Sequence, residues 1–297
     1  MSWLTNTLKH WKAEFDVRRK EKNFINTLKT VPDIFRNEPL PTDQEVNFRH
    51  SGHAGDLVHA IPAMLALAGG RKINLYLHLG QPAGRYTGNI THPNGNVMFT
   101  QKTVELFAPL FASQPQFNDF GAYTGQNIHY DLSEFRAFPF DLRMGSNSRW
   151  YLQTFATTWD LGKKWLEVSP DNSFSDAIIV ARTSRYRTPL IRYDFLARYG
   201  RIVFVGLPQE YEDMRSQLPD MEYKPVKNFL ELAQVIAGGK LYISNQSMPA
   251  ALAEALKVKR IIELSYLVPT TVVEGPDAYD VVYQPQFERI VKGLLGH

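Results

Sequence analysis

The sequence predicts an α/β protein built from two nucleotide-binding-type halves with mostly parallel sheets. Three observations carry that prediction. The 297 residues exceed the size at which a single core usually stops growing, so two domains are expected. Short apolar runs alternate with amphipathic stretches from residue 46 onward, as repeated βα units require. That alternation is interrupted once, at Ser169, Pro170, Asp171, Asn172 and Ser173, and then begins again.

The elements follow in order. Lys9, Lys12, Arg18, Arg19, Lys20 and Lys22 are interleaved with Trp3, Leu4, Leu8, Trp11 and Phe15 at roughly helical spacing, which predicts a basic amphipathic helix. A proline-containing connector over 38–43 leads into strands at 46–50, 72–79 and 128–132 and helices at 57–68, 103–112 and 148–161. Four glycines and two prolines between Gly80 and Gly95 predict a long surface loop, a frequent carrier of binding function. After the break within 163–176, strands are expected at 177–181, 201–205, 241–244 and 260–264. Helices fit 190–199, 209–217, 228–237, 249–256 and 285–295. The expected organisation is therefore a basic extension over 1–45, a first Rossmann-like half over 46–168 and a second over 169–297.

Composition narrows the chemistry. Apolar residues make up 44% and charged residues 21%, ordinary values for a globular chain. With no cysteine, disulfides, thiolate zinc sites, iron–sulfur clusters and a thiol nucleophile are excluded together. The N-terminus carries charges throughout and no stretch is long and apolar enough to span a bilayer, so a cytoplasmic location is expected. A formal charge of +3 does not by itself argue for nucleic acid. The basic helix leaves two readings open: it packs its aromatic face on the body, or it meets an anionic membrane surface or nucleic acid.

The most informative segment is Ser51-Gly52-His53-Ala54-Gly55-Asp56-Leu57, between the first strand and the helix after it. Gly52 and Gly55 permit a tight turn and close backbone approach, and the unpaired amides of a helix start favour anionic or hydrogen-bonding ligands. Asp56 stands beyond the carboxyl ends of parallel strands, where α/β folds bind ligands, and is placed to accept a proton. Aspartate is also among the best helix caps, and spacing alone does not decide between the two roles. His53 and His59 are further candidates, with capping or packing as the alternative. The segment lacks both the G-x-G-x-x-G fingerprint and the lysine of a P-loop, which counts against hydride transfer and nucleotide hydrolysis.

In the second half, Arg182, Arg185 and Arg187 crowd one strand-to-helix loop, a cluster suited to phosphate oxygens or, alternatively, a solvated basic turn. Asn245-Gln246-Ser247 precede a helix that Pro249 would start well; its dipole and free amides can hold a diphosphate, unless Asn245 and Ser247 merely cap it. Glu263, at a strand end, is a candidate partner for a ribose or a surface carboxylate.

Gly52, Gly55 and Asp56 followed by Pro62 resemble the N-terminal motif of the lipopolysaccharide heptosyltransferase-like glycosyltransferases. Phe229-Leu230-Glu231-Leu232-Ala233 and the run from Leu241 to Leu256 are similar to that family's later helix and donor loop. Gln246, Met248 and Ala251 stand where the family usually has Asp, Gly and His. The resemblance spans roughly 46–265. It implies a GT-B fold of two facing Rossmann-like domains, a nucleotide-sugar donor as substrate and a glycan or other hydroxyl acceptor. Inversion at the anomeric carbon, no metal and no cofactor are expected with it. Asp56 is then the general base. Donor contacts fall to Arg182, Arg185, Arg187, Asn245, Gln246, Ser247 and Glu263, and acceptor contacts to Gly52, His53, Gly55, His78 and Arg85. Transfer to a protein or modified nucleic acid, or a binding module without catalysis, are the competing readings.

Overall fold

The computed structural model describes residues 3–30, 44–83, 95, 97–139 and 141–296. The first sheet comprises β1 (Val46–His50), β2 (Ile73–Leu77), β3 (Phe117–Ala122) and β4 (Tyr130–Asp131) in the order β3-β2-β1-β4, all parallel. The second comprises β5 (Ile178–Ala181), β6 (Ile202–Phe204), β7 (Glu222–Tyr223), β8 (Leu241–Asn245), β9 (Arg260–Glu263) and β10 (Ala278–Val281) in the order β10-β9-β8-β5-β6-β7, again all parallel. Central strands β5 and β8 are buried along their whole length, as parallel strands covered on both faces must be. The α/β class with two parallel sheets is thus as expected.

The helices are α1 (Trp3–Thr30), α2 (Ala54–Ala68), α3 (Gln101–Ala112), α4 (Asn147–Thr154), α5 (Pro208–Met214), α6 (Phe229–Gly238), α7 (Met248–Leu256) and α8 (Gln284–Leu295). Three expectations are corrected. The helix expected over 190–199 is a 3-10 turn over Asp194–Tyr199, because Leu190 follows Pro189 and takes φ 74°, outside helical geometry. The one expected over 148–161 stops at Thr154, two residues before Ala156 turns left-handed at φ 42°. Strand 128–132 shrinks to β4, since the Asp131 carboxylate caps a 3-10 turn over Leu132–Arg136 by accepting from the Ser133 amide at 3.0 Å. Strands β3, β7 and β10 lie at or next to sheet edges and carry polar residues, so they leave little hydrophobic signal. Arg85 lies outside the described residues.

The helix α1 forms as expected, but Trp11 and Phe15 are 71% and 66% exposed, so these two rings do not pack on the body. Among the described residues no helix is long and apolar enough to cross a membrane.

One hydrophobic cluster runs through both halves. It forms where α2 packs on α7 and α3 on α6, with Phe107 edge-on to Phe229 at 4.4 Å. Trp165 is buried between the halves. Its indole N–H donates to the Val58 carbonyl at 3.1 Å and its amide to the Ala255 carbonyl at 3.0 Å. A second cluster fills the other face of the second sheet under α8.

Candidate active site at two converging helix starts

The packing of α2 on α7 brings two helix N-termini to one place. An added Cβ at Gly55 would lie 3.7 Å from the Met248 Cα, so the first turn of α2 rests on the first turn of α7. Each helix begins at the carboxyl edge of a parallel sheet, where the helix dipole and unpaired amides create a site for negative charge.

Asp56 is the third residue of α2, and its side chain is 15% exposed. Its Oδ2 accepts from Arg136 Nη2 at 2.5 Å and from the His53 amide at 3.4 Å, while Oδ1 accepts from Asn147 Nδ2 at 3.1 Å. The helix-capping contact to His53 is the longest of the three, so capping is only part of what this carboxylate does. Burial opposes its ionisation, but the Arg136 guanidinium first, and the His53 amide that donates to the carboxylate, hold its pKa below the ordinary value. Asp56 is therefore a desolvated, ionised carboxylate at neutral pH.

Arg136 and Asn147 were not among the residues singled out from the sequence. Both sit just beyond the carboxyl end of β4, Arg136 at the end of the 3-10 turn and Asn147 at the start of α4, and position beyond a strand end is the signal that could have found them. Beneath them lies His50. Its Nδ1 accepts from the Gly52 amide at 2.9 Å, so Nε2 carries the ring proton and meets the Tyr151 hydroxyl at 2.7 Å. Complete burial, reinforced by Arg136, pushes the His50 pKa down to about 3. Gly52 is required here: a Cβ would lie 2.5 Å from His50 Cε1 and 2.8 Å from Arg136 Nη2.

His53 caps α2 between Asp56 and the second half. Burial lowers its pKa; Asp56 opposes that shift, while Arg136 and Arg185 add to it. Arg185, from the loop after β5, thus reaches the electrostatic field of the first half's motif. His59 is buried against Ser148 Oγ at 3.0 Å, and burial pushes its pKa down to about 4; it serves packing. His78 lies at the end of β2, edge-on to Tyr123 at 5.7 Å and 3.1 Å from Gln81 Nε2, and its amide donates to the His50 carbonyl at 2.9 Å.

Several donor-side candidates are occupied within the fold. Arg182 and Glu263 are buried against each other, their side chains 4% and 0% exposed. Glu263 accepts from Arg182 Nε at 2.7 Å, Arg182 Nη2 at 2.9 Å, the Thr188 amide at 2.6 Å and the Tyr193 hydroxyl at 3.1 Å. These two expected donor contacts are thus engaged with each other and with Thr188 and Tyr193. Arg187 turns to Asp213, 2.5 Å away. Asn245 holds the loop after β5, accepting from the Thr183 amide at 2.9 Å and donating to the Thr183 and Arg185 carbonyls. Gln246 donates to the Val268 carbonyl and Thr270 Oγ1, both at 2.8 Å, and accepts from the Ser265 amide at 2.6 Å. Both amides therefore tether the loops that surround the start of α7. Ser247 caps α7 in extended geometry, its hydroxyl only 3.2 Å from the Asn245 carbonyl, and Ala251 is buried in the helix packing. At the junction the second half also places Arg185, whose charge acts on His53, with Ser247 and the start of α7. Pro249 lacks an N–H, so the first turn of α7 has one amide fewer than usual.

The two halves are also joined by hydrogen bonds that lead from Asp56. Asn147, which grips Oδ1, donates its own amide to the Thr270 carbonyl at 3.3 Å, and Thr270 Oγ1 is held by Gln246.

No family model and no curated protein matches the sequence. Solved structures do. An Escherichia coli heptosyltransferase, WaaC, with ADP-2-deoxy-2-fluoro heptose superposes with a TM-score of 0.54 at 11% identity, over 84% of this chain and 99% of that one. The same enzyme with ADP gives 0.54 at 12% identity, over 84% and 100%. A glycosyl transferase of family 9 from Veillonella parvula gives 0.52 at 14% identity, over 84% and 89%. The chain has the GT-B fold of the heptosyltransferases, the fold that its two separated motifs imply.

Proposed function

We propose that this chain is an inverting glycosyltransferase that moves a sugar from a nucleotide sugar to an acceptor hydroxyl without a metal. The observation that carries the reading is the meeting of an ionised carboxylate at the start of α2 with Arg185 and the start of α7. The ADP and ADP-sugar analogue named with the WaaC structures support an adenosine diphosphate sugar as the first donor to test.

The acceptor oxygen forms its bond to the anomeric carbon as the bond from that carbon to the diphosphate breaks. The hydroxyl proton goes to Asp56, and the electron pair leaves with the diphosphate. Arg185 and the amides of α7 offset the negative charge that accumulates there, which is stabilisation specific to the transition state. In this reading Arg185 and the α7 amides do the charge stabilisation that a divalent metal would otherwise supply. Acid/base assistance is worth about 10²- to 10⁴-fold, so Asp56→Asn should reduce turnover by about that factor with donor affinity largely retained. An unchanged rate removes Asp56 from the mechanism.

Thermal-shift screening against nucleotide sugars tests the function itself, since a ligand at about 100 times its dissociation constant stabilises by about 2.7 kcal/mol. A selective shift names base and sugar. Absence of any shift favours a binding module without catalysis, the reading to which the internal tethering of Gln246 lends weight.

The helix α1 carries seven basic residues against three acidic ones, with Trp11 and Phe15 exposed beside them. We read it as an arm for an anionic surface, a membrane or a nucleic acid bearing the acceptor. Removal of residues 1–30 should weaken that association, and salt should weaken it steeply where the partner is nucleic acid.

A further inference from the structure

The first sheet presents a polar face on the side away from the hydrophobic cluster. Asn74 donates to Asn47 Oδ1 at 2.8 Å and the Tyr76 hydroxyl to Asp119 Oδ2 at 3.0 Å, a lattice of side chains that would be costly to bury without these partners. Alongside β4 this face opens into a shallow, solvent-open cavity of about 540 Å³ lined by Arg49, Tyr123, Gln126, His129, Asp131 and Glu134.

The charges in its wall are arranged unequally. Arg49 is paired with Asp131, its Nη2 2.5 Å from Oδ2, and lies 4.9 Å from the centre of the Tyr123 ring. That pair neutralises itself. Among the described residues no group donates a hydrogen bond to the half-buried Glu134 carboxylate. Partial burial and the neighbouring Asp131 raise its pKa, with Arg49 opposing them. The wall thus carries one carboxylate more than its single guanidinium can pair, a net negative charge that repels phosphates and carboxylates.

A single five-residue turn connects this cavity to Asp56. Asp131 caps the turn, Glu134 faces the cavity from its middle, and Arg136 at its end grips Asp56 at 2.5 Å. Ser133 on the same turn meets Ser51 of the Asp56 motif, Oγ to Oγ at 2.6 Å. A molecule seated here lies one turn from the carboxylate that receives the acceptor proton.

We propose that this cavity holds the non-reacting part of the acceptor and that it takes an uncharged, hydroxyl-rich glycan unit. Its hydroxyls donate to Glu134 and Asp131, and Arg49 donates to a ring or hydroxyl oxygen. The inference rests on the transferase reading for the word acceptor, while the preference for neutral glycans follows from the cavity alone. Phosphorylated and acidic glycans are disfavoured by the same charges.

The test is binding of the full-length chain to an array of neutral hexose oligosaccharides beside phosphorylated and sialylated ones, with a nucleotide-sugar thermal shift measured on the same preparations. Wild type should bind neutral glycans preferentially. Glu134→Ala should weaken that binding about tenfold or more, the scale expected when a hydrogen bond to a charged group is lost, with melting temperature and nucleotide-sugar shift unchanged. Glu134→Lys should move the preference toward phosphorylated glycans. Preference of wild type for phosphorylated or sialylated glycans overturns the inference. So does neutral-glycan binding that both variants leave unchanged, or no glycan binding in a chain that still responds to a nucleotide sugar. Loss of the nucleotide-sugar response alone counts against the transferase and leaves the glycan preference to be judged by the array.

Discussion

At the scale of single residues, what matters is how completely a charge is already satisfied. Asp56 has partners on both oxygens yet keeps the lone-pair capacity to accept one more hydrogen bond, since an ionised carboxylate offers about four acceptor positions. Its lowered pKa makes it a weak base that is fully ionised at neutral pH, and the acidic limb of activity that it governs should lie below about pH 4. Arg182 and Glu263 illustrate the opposite case. In the sequence they are a loop arginine and a strand-end carboxylate 81 positions apart, and nothing local reveals that β5 and β9 lie on either side of β8. Their buried pair should make Glu263→Ala costly by about 3–5 kcal/mol, because the change leaves an uncompensated guanidinium in the core. Urea denaturation checks this. A variant of native stability with impaired donor affinity would instead restore the donor-contact role. The substitution of Gln for the family's Asp at 246 has a reason visible only in three dimensions: an amide can donate to Val268 and Thr270 and still accept from Ser265, which a carboxylate cannot do.

At the scale of elements, the long periodic helices and buried strands were legible because their hydrophobic patterns dominate. Strand β1 and helices α3 and α7 fall within two residues of expectation. The misread segment 190–199 carries helical periodicity, but Pro189 and the left-handed Leu190 delay regular structure until Asp194. The turn of Leu132–Arg136 was invisible for a similar reason, having been read in part as strand, and with it went Arg136. Gly52 was legible as a tight-turn residue, and the structure supplies the steric cause. In Gly52→Ala the new methyl must displace His50 or Arg136, each under 3 Å away. Displacing Arg136 removes the strongest cation beside Asp56 and leaves burial to dominate, so the pKa of Asp56 rises. Turnover should fall, and the acidic limb of the pH–rate profile should move toward neutrality. A profile that keeps its limb while activity drops would mean that Arg136 stays in place.

At the scale of the whole molecule, the two sheets share one hydrophobic cluster, and Trp165 is hydrogen-bonded to both α2 and α7. The segment around it, expected from composition to be a linker, is thus docked at one end, and the body should unfold in a single cooperative transition. The pH dependence of that transition is set mainly by two histidines, offset in part below about pH 6 by Asp280, whose carboxyl is pushed up to about 6 by burial. His50 and His59 have native pKa values of about 3 and about 4, against 6.5 for the ordinary side chain. Below pH 6.5 the unfolded chain binds two protons that the native protein refuses, so stability falls as pH falls through the window from 6.5 to about 4, each histidine contributing about 1.4 kcal/mol per pH unit. Asp56 acts outside this window, because a carboxylate of depressed pKa loses its stabilising contribution only as pH drops below its unfolded value near 4. Denaturation midpoints measured between pH 7.5 and 4.5 should therefore be level above 6.5 and decline steadily below it, with one transition throughout. A level response across the whole range would show that the two imidazoles reach solvent in the native state, and with it that the packing of α2 and β1 against α4 opens.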